Sequence, residues 1–190
     1  ISTVTDAYNE YEAKYENTRK IMQQLVMSEA FITVVTKSKL VLRDLDLFKK
    51  MKNLEIALSF STIEEDVKNK LELNSSSVEE RLETLKILRE NGIRTIVFIA
   101  PIIPNITDFK KIIEKTKDYT DEYWFDFLTL RNSFKTRMFE FIDKEYPSYK
   151  SLYIDIYNKK NKQYFEETSE EIAKYCTENN IVYKNFYAGT

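Results

Sequence analysis

The stretch that most constrains the fold covers residues 77–105 and reads SVEERLETLKILRENGIRTIVFIAPIIPN. Its first half has apolar residues at helical spacing, and its second half, after Asn91-Gly92, is an apolar, β-branched run. Ser77 and Glu80 have the spacing of a capping box, and Gly92 suits the left-handed end of a helix. The stretch therefore predicts a helix, a stop and a buried strand. A strand without a polar face favours a parallel sheet covered by helices, or the wall of a barrel.

The same alternation of helix and strand patterns runs through the chain as far as Arg131. A helix is predicted over 8–25, with Tyr8, Tyr11 and Tyr15 on its core-facing stripe. Parallel strands need right-handed crossovers, and five strands are too few for a closed eight-stranded barrel. The predicted fold class is therefore α/β, a partial (β/α) barrel of about five parallel strands with a helical C-terminal tail. The predicted strands are 1–5, 31–36, 54–60, 93–99 and 123–130.

Beyond Arg131 the alternation stops, and helical patterns follow one another up to Cys176. The segment 181–187, IVYKNFY, reads either as a last strand or as a packed tail. We therefore divide the chain into a barrel portion, 1–131, and a helical C-terminal extension, 132–190.

Composition excludes several classes of function. The 190 residues contain 29 Lys and Arg against 31 Asp and Glu, so no overall basic field favours nucleic acid. The single cysteine, Cys176, and the absence of histidine exclude an intrachain disulfide, a cluster held by cysteines of this chain alone, and histidine acid-base chemistry. Gly92 and Gly189 are the only glycines, which argues against a phosphate-binding loop. No apolar run is long enough to cross a membrane, so we expect a cytoplasmic location.

Polar residues follow the predicted strands, and in parallel α/β folds ligands bind at the carboxyl ends of the strands. Lys37 suits a carboxylate, whereas Asp6 suits hydroxyl groups or an amine. Polar residues also occur at strand ends simply because strands end at solvent, and Ser61 with Glu64 has the spacing of a capping box. A capping role is therefore the stronger interpretation of Ser61. The candidate binding residues are Thr5, Asp6, Lys37, Ser59 and Ser61.

Several segments, in order, resemble the radical S-adenosylmethionine (radical SAM) superfamily. The similar segments cover about two thirds of the chain, roughly 1–131, and the branch they resemble most contains spore photoproduct lyase and DNA-repair-photolyase-like proteins. The segments read STVTDAYNEYE, ITVVTKSKLVLRD, ALSFST, EERLETLKILRENGI and APIIP.

The resemblance implies a partial (β/α)6 barrel that cleaves S-adenosylmethionine reductively, at a four-iron cluster, to give a 5′-deoxyadenosyl radical. By motif, Thr5 and Asp6 match a segment that contacts polar groups of the cofactor. Lys37 and Ser59 match positions that hold its methionyl carboxylate. The resemblance therefore implies S-adenosylmethionine and a 4Fe-4S cluster as cofactors of the intact protein.

The sequence departs from the family at the CxxxCxxC loop, which binds the cluster and is absent from these residues. The chain also starts at Ile1 without a methionine, on what reads as a strand ending. We therefore expect a fragment that lacks the cluster loop and is inactive alone. Smaller departures are Ala7 and Leu73, where the family usually has proline after an aspartate and after a glutamate.

Two alternatives stay open. A lysine at the end of a barrel strand can form a Schiff base, so Lys37 is compatible with a lyase or aldolase. A non-catalytic interaction domain is the other alternative, since an unpaired edge strand at 1–5 would recruit a second copy and give a homo-oligomer. The substrate is unknown from the sequence, and only the family resemblance suggests DNA.

Overall fold

The fold is an α/β sheet of five parallel strands. The structure is a computed structural model, and it describes residue 1 and residues 5–187. Every pair of neighbouring strands is parallel, and the spatial order follows the chain. The predicted fold class is confirmed. The strands are β1 Ile32–Thr36, β2 Leu54–Phe60, β3 Arg94–Ile102, β4 Glu122–Phe127 and β5 Tyr183–Asn185.

The five strands are not the five predicted ones. The segment predicted as the first strand lies largely outside the described residues, because its residues 2–4 are not described. β5 comes instead from the C-terminal segment and pairs with β4, so the extension contributes to the same sheet. The division of the chain at residue 131 stays a prediction.

Helices join the strands and cover the sheet. The strictly parallel order requires each connection to return along the sheet, and each of the four connections contains at least one helix. The helices are α1 Glu12–Tyr15, α2 Asn17–Leu25, α3 Leu45–Phe48, α4 Glu65–Leu71, α5 Val78–Glu90, α6 Phe109–Thr116, α7 Asn132–Glu145, α8 Lys150–Tyr157 and α9 Gln163–Glu178.

The α5–β3 unit forms as predicted. The amide of Glu80 donates to the Ser77 hydroxyl at 3.1 Å, and the amide of Ser77 donates to the Glu80 carboxylate at 2.9 Å, which completes the capping box. Gly92 has φ +74°, in the left-handed region where a Cβ is unfavourable. These local signals fix both ends of the helix that leads into the buried strand.

The single helix predicted over 8–25 is wrong. The chain forms α1 and α2 with a break at Glu16, whose φ is +51°. Tyr8 lies in a turn before α1 and is buried, whereas Tyr11 and Tyr15, at the two ends of α1, are 66% and 51% exposed. Two of the three tyrosines expected in the core therefore face solvent.

The break has a physical cause in Glu12. Its carboxylate accepts the amides of Thr18 at 3.0 Å and Arg19 at 3.3 Å, and so caps the start of α2. Arg43 donates to the same carboxylate at 2.8 Å. A continuous helix would lose these bonds, so tertiary contacts override the helical periodicity.

The core has two parts. The larger one fills the space between the helices and one face of the sheet, where Ile56, Val97 and Phe125 are fully buried. A smaller cluster lies where β3 and β4 exit and includes Met138 of α7 and Tyr153 of α8. Leu71, at the end of α4, packs against this cluster, which places α7 and α8 beside the carboxyl end of the sheet.

Within residues 5–187, no helix combines the length and the apolar character that a bilayer crossing requires. The cytoplasmic location stays a prediction.

We predict that Gly92→Ala lowers the free energy of unfolding by about 1 kcal/mol, because alanine resists a left-handed backbone conformation. The space around Gly92 is open, so the loss arises from the backbone alone. Gly92→Asn is the matched control and loses less, since asparagine tolerates this conformation. Urea denaturation measures both, and an alanine variant as stable as the unmutated protein contradicts the assignment.

Candidate functional site

A cleft of about 640 Å³ opens at the carboxyl end of β1. Three chain segments line it: residues 5–6 and 8–11, the Lys37-Ser38 pair that follows β1, and residues 71–75 that follow α4. Its volume lies within the usual range for small-molecule sites, roughly 300–1,000 Å³. Because residues that directly follow β1 line it, the cleft lies at the carboxyl end of the sheet, where the strand-end argument expects a ligand.

Asp6 joins two walls of the cleft. One carboxylate oxygen accepts the Tyr8 amide at 2.8 Å and the Thr36 hydroxyl at 2.6 Å, and the other accepts the Lys37 amide at 2.8 Å. These bonds fix the turn after residue 5 to the end of β1. Asp6 therefore sets the backbone position from which the Lys37 side chain extends.

The Lys37 ammonium makes an ion pair within the cleft. Its Nζ lies 3.0 Å from Glu72 Oε1, and the side chain is 29% exposed. An ammonium has three N–H donors, so contact with Glu72 leaves donors for a ligand. The Schiff-base alternative for Lys37 stays a prediction.

Glu72 is the central carboxylate of the site. Besides Lys37, it accepts the Ser61 hydroxyl at 2.7 Å and Arg81 Nη2 at 2.6 Å. Burial by itself raises the pKa of Glu72, but the charges of Lys37 and Arg81 and the bond from Ser61 outweigh it and hold the pKa below the usual range. Glu72 is therefore ionised at neutral pH.

The loop after α4 brings Glu72 to Lys37. The Ser76 amide donates to the Lys37 carbonyl at 3.2 Å, and the Lys39 amide donates to the Ser76 hydroxyl at 2.9 Å. These two bonds tie the loop to the segment that follows β1. Hydrogen bonds between the two backbone segments thus hold Lys37 and Glu72 close enough to form their ion pair.

Arg81 of α5 is fully buried and supports Glu72 from behind. Its Nη1 donates to the Ser59 carbonyl at 2.7 Å and its Nε to the Ser76 carbonyl at 3.0 Å. The guanidinium also lies 5.5 Å from the centre of the Phe60 ring. Arg81 therefore links α5, the end of β2 and the carboxylate of the cleft.

A second buried network anchors the opposite wall. The Tyr8 hydroxyl donates to Asp44 at 2.9 Å, and Arg19 and Arg43 pair with the same carboxylate. Burial raises the pKa of Asp44, but the bonds from Arg43, Arg19 and Tyr8 outweigh it and lower the pKa overall. An ionised, fully buried aspartate thus holds the wall that contains Tyr8.

The predicted binding residues divide into two groups. Thr5, Asp6 and Lys37 line the cleft. Ser59 and Ser61 are buried behind it and connect to it through Arg81 and Glu72. Whether these residues bind a cofactor stays a prediction.

The predicted capping box at Ser61 and Glu64 is wrong. The Glu64 amide donates to the Thr62 hydroxyl at 3.0 Å, and the helix that follows has no side-chain cap at its start. The Ser61 hydroxyl is directed to Glu72 instead. In a capping box the serine hydroxyl would accept the Glu64 amide, whereas here it donates to a carboxylate in a charge-assisted bond.

Sequence reasoning missed Glu72 and Arg81 as site residues. The only signals were an acidic residue between Leu71 and Leu73, and an arginine at a position on α5 that the helical pattern turns toward the core. A buried guanidinium needs an acidic partner, so the position of Arg81 on the core-facing side of α5 was the stronger indication of a buried ion pair.

The described residues do not fit an iron–sulfur cluster. Among them, no group of three or more His, Cys, Asp or Glu side chains is placed to hold a metal ion. Cys176, the only cysteine in the sequence, is buried in α9, and burial raises the pKa of its thiol to about 11. Burial thus disfavours the thiolate, which is the form that binds metal.

Comparison with known proteins gives one family. Residues 3–116 match the sequence profile of the Radical SAM superfamily. An uncharacterized protein of Methanocaldococcus jannaschii is 39% identical over 175 residues, which are 92% of this chain and 65% of that protein. An uncharacterized protein of Acidianus two-tailed virus is 33% identical over 91 residues, 47% of this chain and 30% of that protein. The chain thus spans at most about two thirds of these relatives.

Among solved structures, Streptococcus suis SuiB bound to S-adenosylmethionine superposes with a TM-score of 0.63. The superposition covers 93% of this chain and 38% of SuiB, at 13% sequence identity. SuiB bound to the precursor peptide SuiA gives a TM-score of 0.59 over 93% of this chain and 36% of SuiB, also at 13% identity. At this identity the similarity shows a common fold.

We predict that Glu72→Gln lowers the free energy of unfolding at neutral pH by about 3 kcal/mol, because it removes one partner of a buried ion pair. The pKa of Glu72 is lowered from 4.5, so its contribution is present above that pH and is lost as the pH falls through the folded-state pKa. The difference in the free energy of unfolding between unmutated protein and Glu72→Gln therefore becomes smaller as the pH falls. Denaturant titrations across the acid range measure it.

Glu79→Gln on the exposed face of α5 is the matched control and changes stability by about 0.5 kcal/mol or less. A Glu72→Gln deficit that stays constant through the acid range contradicts the assignment of an ionised Glu72.

Proposed function

Because this chain belongs to the radical SAM superfamily, we propose that its cleft binds S-adenosylmethionine. We further propose that the chain is part of a longer enzyme that cleaves S-adenosylmethionine reductively to a 5′-deoxyadenosyl radical. The observation that carries the proposal is the Lys37 ammonium, held by Glu72 in a small-molecule cleft at the carboxyl end of the sheet.

The residues of the cleft suit the methionyl end of this ligand. Lys37 has N–H donors beyond the one that Glu72 accepts, and a carboxylate is their natural acceptor. Thr5 and Asp6 lie on the cleft wall as candidate contacts for hydroxyl or amino groups. Ser59 and Ser61 would act indirectly, since Arg81 and Glu72 occupy the bonds that the structure assigns to them.

The charge of the cleft also matches the ligand. Three carboxylates and one ammonium are among the lining residues, namely Asp6, Glu10, Glu72 and Lys37. S-adenosylmethionine carries a sulfonium, an ammonium and a carboxylate, so its net charge is positive. A net negative cleft with one cation therefore attracts the molecule and distinguishes its carboxylate end.

Membership of the superfamily implies a 4Fe-4S cluster beside S-adenosylmethionine, and the residues of this chain do not fit one. We therefore propose that the cysteine ligands belong to a further part of a longer protein and that this chain alone forms no radical. The greater length of both relatives supports this division.

Three finer assignments are predictions from the sequence: the branch of the superfamily, the substrate and the oligomeric state. The relatives reported above do not support the spore photoproduct lyase branch, which stays a prediction, as does DNA as the substrate. The homo-oligomer, which was predicted from an edge strand at 1–5, also stays a prediction.

The first residue of that segment bonds to the outer edge of β1. The amino group of Ile1 donates to the Thr33 carbonyl at 2.7 Å, and the Val35 amide donates to the Ile1 carbonyl at 3.4 Å.

The test is a calorimetric titration of S-adenosylmethionine into unmutated protein, Lys37→Ala and Lys39→Ala. We expect Lys37→Ala to weaken binding about tenfold or more, the size expected for one charge-assisted hydrogen bond. Lys39 is the matched control because it lies two residues away and pairs with Glu80 outside the cleft. Unmutated protein that fails to bind, or equal losses in the two variants, overturns the proposal.

A further inference from the structure

Arg81 is a fully buried cation one contact away from the cleft, since it bonds to the cleft residue Glu72. Its Nη2 lies 2.6 Å from Glu72 Oε2, while Lys37 Nζ lies 3.0 Å from Glu72 Oε1. The carboxylate therefore divides its two oxygens between two cations. Arg81 is not among the residues that line the cleft, so it does not reach a ligand there directly.

We propose that Arg81 is a positioning residue: by fixing and neutralising Glu72, it leaves the Lys37 ammonium available to an anionic group of the ligand. The inference rests on the proposed function, in which that anionic group is the methionyl carboxylate. It gives a role to a residue that lies in a family-like segment, EERLETLKILRENGI, but to which the resemblance assigned none.

The charges of the three side chains support this role. Two cations share one carboxylate, so the group carries one net positive charge. Arg81 has no exposed surface, whereas Lys37 is 29% exposed, and therefore the excess charge faces the cleft on Lys37. Without Arg81, Glu72 would balance Lys37 alone and the pair would present no net charge.

Asp6 does not cancel this charge by direct contact. Its carboxylate accepts the backbone amide of Lys37 at 2.8 Å and bonds to Tyr8 and Thr36, as described above. The Lys37 ammonium is paired with Glu72. Among the described contacts, the availability of Lys37 thus depends on how strongly Glu72 holds it.

The geometry of Arg81 explains why an arginine is needed. Its three nitrogens donate to four acceptors, namely the carbonyls of Ser59 and Ser76, the carboxylate of Glu72 and the hydroxyl of Ser75. A planar guanidinium fixed at three points holds the carboxylate in one orientation. A lysine at this position would keep the charge but could not occupy the three directions together.

The experiment compares two ligands, S-adenosylmethionine and its decarboxylated form, by calorimetry. We expect Arg81→Met to weaken the first about tenfold and the second by less than about threefold, because only the first has the carboxylate that Lys37 binds. Arg81→Met with Glu72→Gln restores most of the loss, since no carboxylate then competes for Lys37. Equal losses for both ligands, or no recovery in the double variant, overturn the proposal.

A second measurement does not depend on the cofactor. An amine-reactive ester labels unprotonated, accessible lysines, and mass spectrometry of the peptides follows Lys37 and Lys39 separately. We expect Arg81→Met to slow labelling of Lys37 and to leave Lys39 unchanged, because Glu72 then holds Lys37 alone. Unchanged labelling of Lys37 overturns the role of Arg81, whereas failure of unmutated protein to bind S-adenosylmethionine overturns the proposed function.

If Arg81→Met does not fold, judged by circular dichroism, the comparison is between Glu72→Gln and the double variant. In the proposal Arg81 acts on the Lys37 ammonium through Glu72, so we expect Lys37 to label at the same rate in both variants. Different rates would show that Arg81 acts on the cleft by another route, and the proposal would fail.

Discussion

The site depends on one buried carboxylate between two cations. The side chain of Glu72 is only 9% exposed, and it remains ionised because Arg81 and Lys37 each bind one of its oxygens. An unpaired carboxylate at this place would be costly, so the arrangement is stable only as a unit. The unit also determines where its positive charge faces, since Arg81 is fully buried and Lys37 reaches the cleft. A network that contributes to folding therefore also sets the charge that a ligand meets.

The fold supplies this unit with fixed supports. Asp6 holds the backbone from which Lys37 extends, and the end of β2 provides acceptors and donors to Arg81 and Glu72. On the far wall, the buried Asp44 fixes Tyr8. Successive parallel strands end at one edge of the sheet, so residues distant in the sequence meet there. The polar cleft is thus a consequence of parallel order, and its chemistry comes from a few buried ion pairs.

The parts of the structure that the sequence could predict are those controlled by neighbouring residues. The α5–β3 unit followed from its capping box, Gly92 and an apolar strand, and its buried strand implied the parallel sheet. Glu72 and Arg81 escaped prediction because their partners come from other segments, and no local pattern records such contacts. The break at Glu16 was missed in part for the same reason, since the Glu12 carboxylate that caps α2 is itself bound by Arg43 of a distant segment. Lys37 lies on the cleft, at the strand end where the sequence argument expected a ligand, and its role in binding the cofactor stays a prediction.

The most direct test of the central claim is a crystal structure of this chain soaked with S-adenosylmethionine. The account predicts the ligand in the cleft beside β1, with its carboxylate within hydrogen-bonding distance of Lys37 Nζ and with Glu72 still bound to Arg81. A ligand bound elsewhere, or one in the cleft with its carboxylate directed away from Lys37, would contradict it.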